Sequence, residues 1–168
     1  MKKTFYTNSL RLLVAGLMCI AQTSAWALTE VNVETAGTLS TLLESTEKEL
    51  KVTGVINGTD IKFIRQLVTA GTVTKLDWSD VRIVSGGEPY TDNFTTTNDV
   101  IGVKMFYECS KLQSIVLPTT LSSILTNAFA RTGLKKINIP NSVTRLGGDA
   151  FAYCSSLDTV VIGQRVNT

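Results

Sequence analysis

Residues 134–154 read LKKINIPNSVTRLGGDAFAYC. In Ile137-Asn138-Ile139 two apolar residues flank a polar one, the two-residue period of a short strand with a single buried face. Pro140 ends that strand, because proline has no N–H to give to a ladder. The chain must then return, and Leu146, Ala150 and Phe151 supply small and apolar residues that pack behind the strand. One such unit cannot bury both of its halves, whereas stacked units bury a continuous column. A sequence of this design is expected to repeat.

Working back from Phe151, the same residue recurs at Phe129 and Phe106, at intervals of 22 and 23 residues. Leu112, Leu134 and Leu157 keep this register, as do Ile115, Ile137 and Val160. Leu117, Ile139 and Ile162 follow, each succeeded by Pro118, Pro140 or Gly163. Leu121, Val143 and Val166 form a further column, and Ile101, Ile124 and Leu146 another. So many columns in one register predict an α/β-type repeat solenoid of short parallel strands over residues 100–168.

The unit in residues 134–154, Leu-x-x-Ile-x-Ile-Pro-x-Ser-Val-x-x-Leu-Gly-x-x-Ala-Phe-x-x-Cys, resembles the BspA-like, or Treponema pallidum type, family of leucine-rich repeats. The resemblance covers residues 100–166. Departures are few: Leu125 stands where Gly147 stands one turn later, Thr132 replaces the cysteine of its column, and Gly163 replaces proline. It implies a secreted or surface-associated protein of the kind that takes part in adhesion and in host or matrix binding.

Upstream the pattern weakens. Leu50-Lys51-Val52 and Leu76-Asp77-Trp78 read as earlier strands of the same sheet. Between them Ile61, Ile64, Leu67 and Val68 share one face of a helix that Thr59 or Asp60 can cap. Leu39, Leu42 and Leu43 mark another short amphipathic helix. Residues 28–84 are thus expected to form a helical N-terminal cap with the first degenerate repeats, since a bare first turn would expose its apolar end. Residues 85–99, rich in Gly, Thr and Asn and containing Pro89, read as an inserted surface loop.

The first 27 residues have the form of a signal peptide. Lys2, Lys3 and Arg11 are basic, residues 12–21 are apolar, and Ala25-Trp26-Ala27 offers the small residues of a cleavage site. The apolar run is shorter than the roughly 20 residues a bilayer requires, so no transmembrane segment is expected in the mature chain. Cys19 follows Met18 rather than the small residue a lipidation signal wants. With the leader set aside, the 16 basic residues fall to 13 against 14 acidic ones. Such a near-neutral chain lacks the electrostatic pull toward nucleic acid. At the other end, residues 164–168 open another turn and stop, which reads as a truncated member of a longer array.

Catalytic and metal chemistry find little support. The chain contains no histidine, which removes the Ser-His and Cys-His arrangements and most zinc sites. No phosphate-binding loop or dinucleotide fingerprint is present, so no cofactor is expected. Cys109 and Cys154 sit two turns apart in one column with Thr132 between them. At roughly 4.8 Å per strand they lie beyond the about 7 Å that a disulfide allows, and two free, buried thiols are expected. The carboxylate pairs Asp77 with Asp80 and Asp92 with Asp99 read as solvated surface rather than a glycosidase dyad. Asp92, Asn93, Asn98 and Asp99 lack a calcium-loop spacing.

What remains is a binding face. With the columns above pointing inward, the alternate strand positions point outward. Lys75, Ser114, Lys136 and Thr159 form one outward file, and Asp77, Val116, Asn138 and Val161 the next. These eight residues are the candidate binding face for a protein or glycan ligand. Tyr90, Phe94, Tyr107 and Tyr153 are further candidates near the turns, with covering the core as their alternative role. Stacking through an uncapped C-terminal edge is the alternative function.

Overall fold

The computed structural model describes residues 28–43 and 48–167, and the leader read from the sequence lies outside them. In chain order the elements are β1 (Leu28–Val33), α1 (Leu39–Leu42), β2 (Glu49–Ile56), α2 (Gly58–Thr69), β3 (Lys75–Asp77), β4 (Val81–Ile83), β5 (Gly86–Thr91) and β6 (Phe94–Thr96). They continue as β7 (Val100–Ile101), β8 (Ser114–Val116), β9 (Ser123–Ile124), β10 (Lys136–Ile139), β11 (Arg145–Leu146) and β12 (Thr159–Ile162). The strands are mostly parallel and the helices few.

One sheet runs β1-β2-β3-β8, with β4 also beside β2, and every pair in it is parallel. A second parallel pair, β10-β12, begins where the first sheet ends. Lys135 N–H donates to the Gln113 carbonyl at 3.2 Å and so ties the two runs together. The predicted column Ile101, Ile124 and Leu146 lies in register on a separate parallel sheet, β7-β9-β11. A third ladder joins the turns. Lys104, Phe106 and Glu108 donate to the carbonyls of Thr126, Ala128 and Ala130, and Asn127, Phe129 and Arg131 donate to those of Gly148, Ala150 and Ala152.

Each turn places two non-glycine residues in the left-handed region. Lys104, Asn127 and Asp149 have φ of 55, 55 and 57°, and Glu108, Arg131 and Tyr153 have 61, 60 and 57°. These positions flank the repeat phenylalanine, and a run of such residues is uncommon outside glycine, asparagine and aspartate. Gly147 serves a different need. A Cβ there would collide with the backbone of Leu125 and Thr126 in the preceding coil, so its missing side chain lets the coils approach.

The interior column is aromatic. Phe106 and Phe129 stack with centroids 5.4 Å apart and planes at 4°, and Phe129 and Phe151 follow at 5.5 Å and 1°. Trp78 extends the column upstream, tilted at 5.3 Å from Phe106. Burial weakens toward β12. In the next column Ile115 and Ile137 are buried, at 5 and 2 % exposed, while Val160 is 42 % exposed.

Helix α2 crosses between parallel strands β2 and β3. Asn57 is its N-cap, not Thr59 or Asp60. The Asn57 side chain accepts from Thr59 N–H at 3.0 Å, and the Asp60 carboxylate accepts from Asn57 N–H at 3.0 Å. That reciprocal pair satisfies backbone donors the helix would otherwise leave bare. Ile61, Ile64 and Val68 turn to the core and are fully buried. Gly71, at φ 74°, ends the helix by donating to the Val68 carbonyl, a conformation glycine takes without penalty.

The segment after residue 84, expected as an inserted surface loop, contains the antiparallel hairpin of β5 and β6. It lies on α2: Glu88 N–H donates to Thr59 Oγ1 at 3.0 Å, and the Glu88 carboxylate pairs with Lys62 at 2.7 Å. Tyr90 is buried with its hydroxyl donating to the Val103 carbonyl at 3.0 Å. Neither Cys109 nor Cys154 is in a disulfide, and Cys109 is buried as expected. Cys154 is only half-buried, because it belongs to the last described coil. Its thiol donates to the Phe129 carbonyl at 3.1 Å.

Candidate binding surface

Parallel pairing sets side chains of equal register beside one another on the same sheet face. Lys75 pairs with Ser114 and Asp77 with Val116. Lys136 pairs with Thr159 and Asn138 with Val161. The eight predicted residues thus fall into two outward files on two adjoining sheets. Lys136, Asn138, Thr159, Val116 and Val161 are exposed, while Lys75, Asp77 and Ser114 are half-buried.

The sequence reading missed the upstream half of these files. Glu49 is the register partner of Lys75, and Lys51 that of Asp77. Leu28 and Glu30 continue the two files onto β1. The alternation Thr29, Val31, Val33 was the signal for that strand, but it lies outside the 22–23-residue period. Charge is internally balanced here. Lys51 reaches Glu30 and Asp80 at 3.4 Å each, and Lys75 reaches Glu49 at 3.5 Å. The hydrogen bond to Asp80, followed by the charge of Glu30, pushes the Lys51 ammonium above its ordinary pKa.

The face therefore has two characters. Its upstream part is a ladder of paired charges, and its downstream part carries Val116 and Val161, 47 and 55 % exposed, around Asn138 and Lys136. Singly exposed apolar residues are ordinary on a surface, and two in one outward file are the feature that needs a role.

The remaining sequence candidates separate. Tyr90 and Phe94 pack into or against the core, and Tyr107 is half-buried. Tyr153, 79 % exposed, lies under the Arg131 guanidinium at 5.0 Å from its ring centroid. Asp77 accepts from Ser79 N–H at 2.9 Å, and Asp92 pairs with Lys104 at 3.3 Å. Among the described residues no group of three or more His, Cys, Asp or Glu is placed to hold a metal ion, and no helix is long and apolar enough to cross a membrane.

Units of 22–23 residues that stack strand on strand and phenylalanine on phenylalanine define a leucine-rich repeat. Residues 91–168 match the family model described as the BspA type leucine rich repeat region (6 copies). Among solved structures the chain is similar to a leucine-rich repeat protein from Bacteroides ovatus ATCC 8483, with 24 % identity over 79 % of this chain and a TM-score of 0.40. It is also similar to a leucine rich cell surface protein from Faecalibacterium prausnitzii A2-165, with 22 % identity over 82 % of this chain and a TM-score of 0.40. The chain spans 33 and 39 % of those two proteins. No curated protein matches it.

Proposed function

We propose that this chain is an extracytoplasmic binding or adhesion module without catalytic activity, a short solenoid that holds a protein or glycan partner on its outward sheet face. The observation that carries the reading is the downstream half of that face, where Val116, Asn138 and Val161 sit in one exposed file. Exposed apolar side chains on a rigid strand platform lose little conformational freedom on contact, which favours binding. Residues 28–84 serve as the N-terminal cap, with α2 covering the apolar interior. The basic, apolar and Ala-x-Ala segments of residues 2–27 support export to the surface or medium. The absence of histidine and of a cofactor motif supports the non-catalytic reading.

Bacteria displaying the protein are applied to host cells and to immobilised matrix proteins. Lys136→Glu combined with Val161→Asp should lower retention at least tenfold with an unchanged thermal midpoint. Equal retention would remove the sheet face from the reading. A second role, assembly through β12, is favoured by the exposure of Val160 and Ile162, whose column mates are buried. Light scattering separates the two: a strict monomer with intact adhesion leaves only the first.

A further inference from the structure

The face of α2 opposite Ile61, Ile64 and Val68 borders a cleft that neither the sheet face nor the repeat columns explain. Two adjoining cavities of about 530 and 360 Å³ share Arg65, Thr69 and Thr91 and run between α2, the β5-β6 hairpin and the turn at residues 104–108. The hairpin and the first aromatic turn form its walls, so it exists only because the 85–99 segment folds back on the helix.

Its chemistry narrows the ligand. The cations are already engaged: Lys62 pairs with Glu88 at 2.7 Å and Lys104 with Asp92 at 3.3 Å. Arg65 donates to the carbonyls of Lys104, Met105 and Tyr107 at 3.3, 2.6 and 3.4 Å. An anion would have to break one of these pairs, so phosphate and sulfate groups fit poorly. The lining mixes apolar and polar surface, so a purely hydrophobic guest would leave the polar groups of the cleft unpaired. What the cleft offers is a mixed set of donors and acceptors, one of them a carboxylate. Among the described residues, the Gln66 amide, the Thr91 hydroxyl, the Tyr107 hydroxyl and the Glu108 carboxylate make no hydrogen bond. Lys104 lies over the Tyr107 ring at 5.6 Å and holds that ring as one wall.

Side-by-side donors and acceptors next to an aromatic ring match a molecule with a hydroxyl on nearly every carbon. We propose that this cleft is a carbohydrate subsite for a neutral oligosaccharide, separate from the sheet face. Gln66, Glu108 and the Tyr107 hydroxyl contact ring hydroxyls beside the Tyr107 ring.

The test is amide shift mapping of the isotopically labelled protein, titrated in the millimolar range with cellotetraose, xylotetraose, maltotetraose and chitotetraose. The expected result is saturable shifts confined to the cleft with at least one sugar, weakened at least fivefold by Gln66→Ala and by Glu108→Gln. Both side chains are exposed, so both variants should keep the parent spectrum elsewhere. The Lys136→Glu, Val161→Asp variant should bind the sugar unchanged, which separates failure of this site from failure of the sheet face. No saturable shift with any of the four sugars overturns the proposal, as do shifts that ignore both substitutions. Shifts produced by a heparin tetrasaccharide or by tetra-asparagine but by no neutral sugar assign the cleft to another ligand class and overturn it equally.

Discussion

A residue in a stacked column owes its energetic weight to the neighbours above and below it. Phe129 has a ring on each side, at 5.4 and 5.5 Å, and is fully buried. Phe151 has one such neighbour and is half-buried. Phe129→Ala should therefore cost about 3–5 kcal/mol in urea unfolding, and Phe151→Ala roughly half as much. Equal losses would show that the ring column is not the axis of the core. Tyr90 carries a different signature. Burial, partly opposed by the Arg65 charge, pushes its phenol up to about 12, against an ordinary value of about 10. The folded state thus keeps a proton that the unfolded state gives up. The associated stability is fully present below about pH 10 and is lost as pH rises toward about 12. Denaturant midpoints measured across that window should fall in the parent and fall less in Tyr90→Phe. That variant also loses the bond to Val103, worth about 1 kcal/mol at neutral pH.

At the scale of elements, Asp60 joins three pieces that the sequence pattern treats as separate. Its carboxylate accepts from Gly37 N–H at 2.5 Å, Leu39 N–H at 2.9 Å and Asn57 N–H at 3.0 Å, and it is 1 % exposed. Asp60→Ala would strand these donors and should cost about 3 kcal/mol or more. Asp60→Asn, which keeps one acceptor oxygen, should cost less, and urea titration of both variants checks the order. The same element shows where sequence reading ends. Strands β8, β10 and β12 were legible because apolar alternation and a fixed period agree at each of them, and β2 and β3 from alternation alone. The hairpin was not, since its Gly- and Thr-rich stretch has no apolar period and is ordered by Thr59, Lys62 and the burial of Tyr90. The cap was placed two to three residues late, because Asn57, Thr59 and Asp60 are all capping types and only geometry chooses among them. Of the candidate face, the downstream half followed from alternation; Leu28 and Glu30 were lost with the missed β1, while Glu49 and Lys51 lie on β2, which was read as a strand but not placed on the face. The left-handed turn positions were hidden because Lys104, Glu108, Arg131 and Tyr153 are not the residues that advertise such backbone.

For the whole molecule, the arrangement of neighbours predicts a gradient of stability rather than a single value. In a stacked array each coil contacts only the adjoining ones, so stability is close to a sum of coil and interface terms. The coils bearing Trp78, Phe106 and Phe129 are covered on both sides, and all three rings are fully buried. β12 pairs with β10 alone, and the inward residues Val160 and Ile162 are 42 and 53 % exposed, against 2 and 1 % for Ile137 and Ile139. Segments with few buried apolar contacts open at lower free energy than the core. Amides of β10 should therefore exchange with solvent at least about a hundredfold more slowly than those of β12, a difference of about 3 kcal/mol. Side-chain deletion should follow the same order: Ile137→Ala costs about 2–5 kcal/mol and Val160→Ala under about 1. Equal protection of the two strands in a monomer would mean that the coils open as one block. Equal protection accompanied by a larger mass in light scattering would instead mean that β12 is covered by another molecule, and Val160→Asp would then restore both the monomer and the gradient.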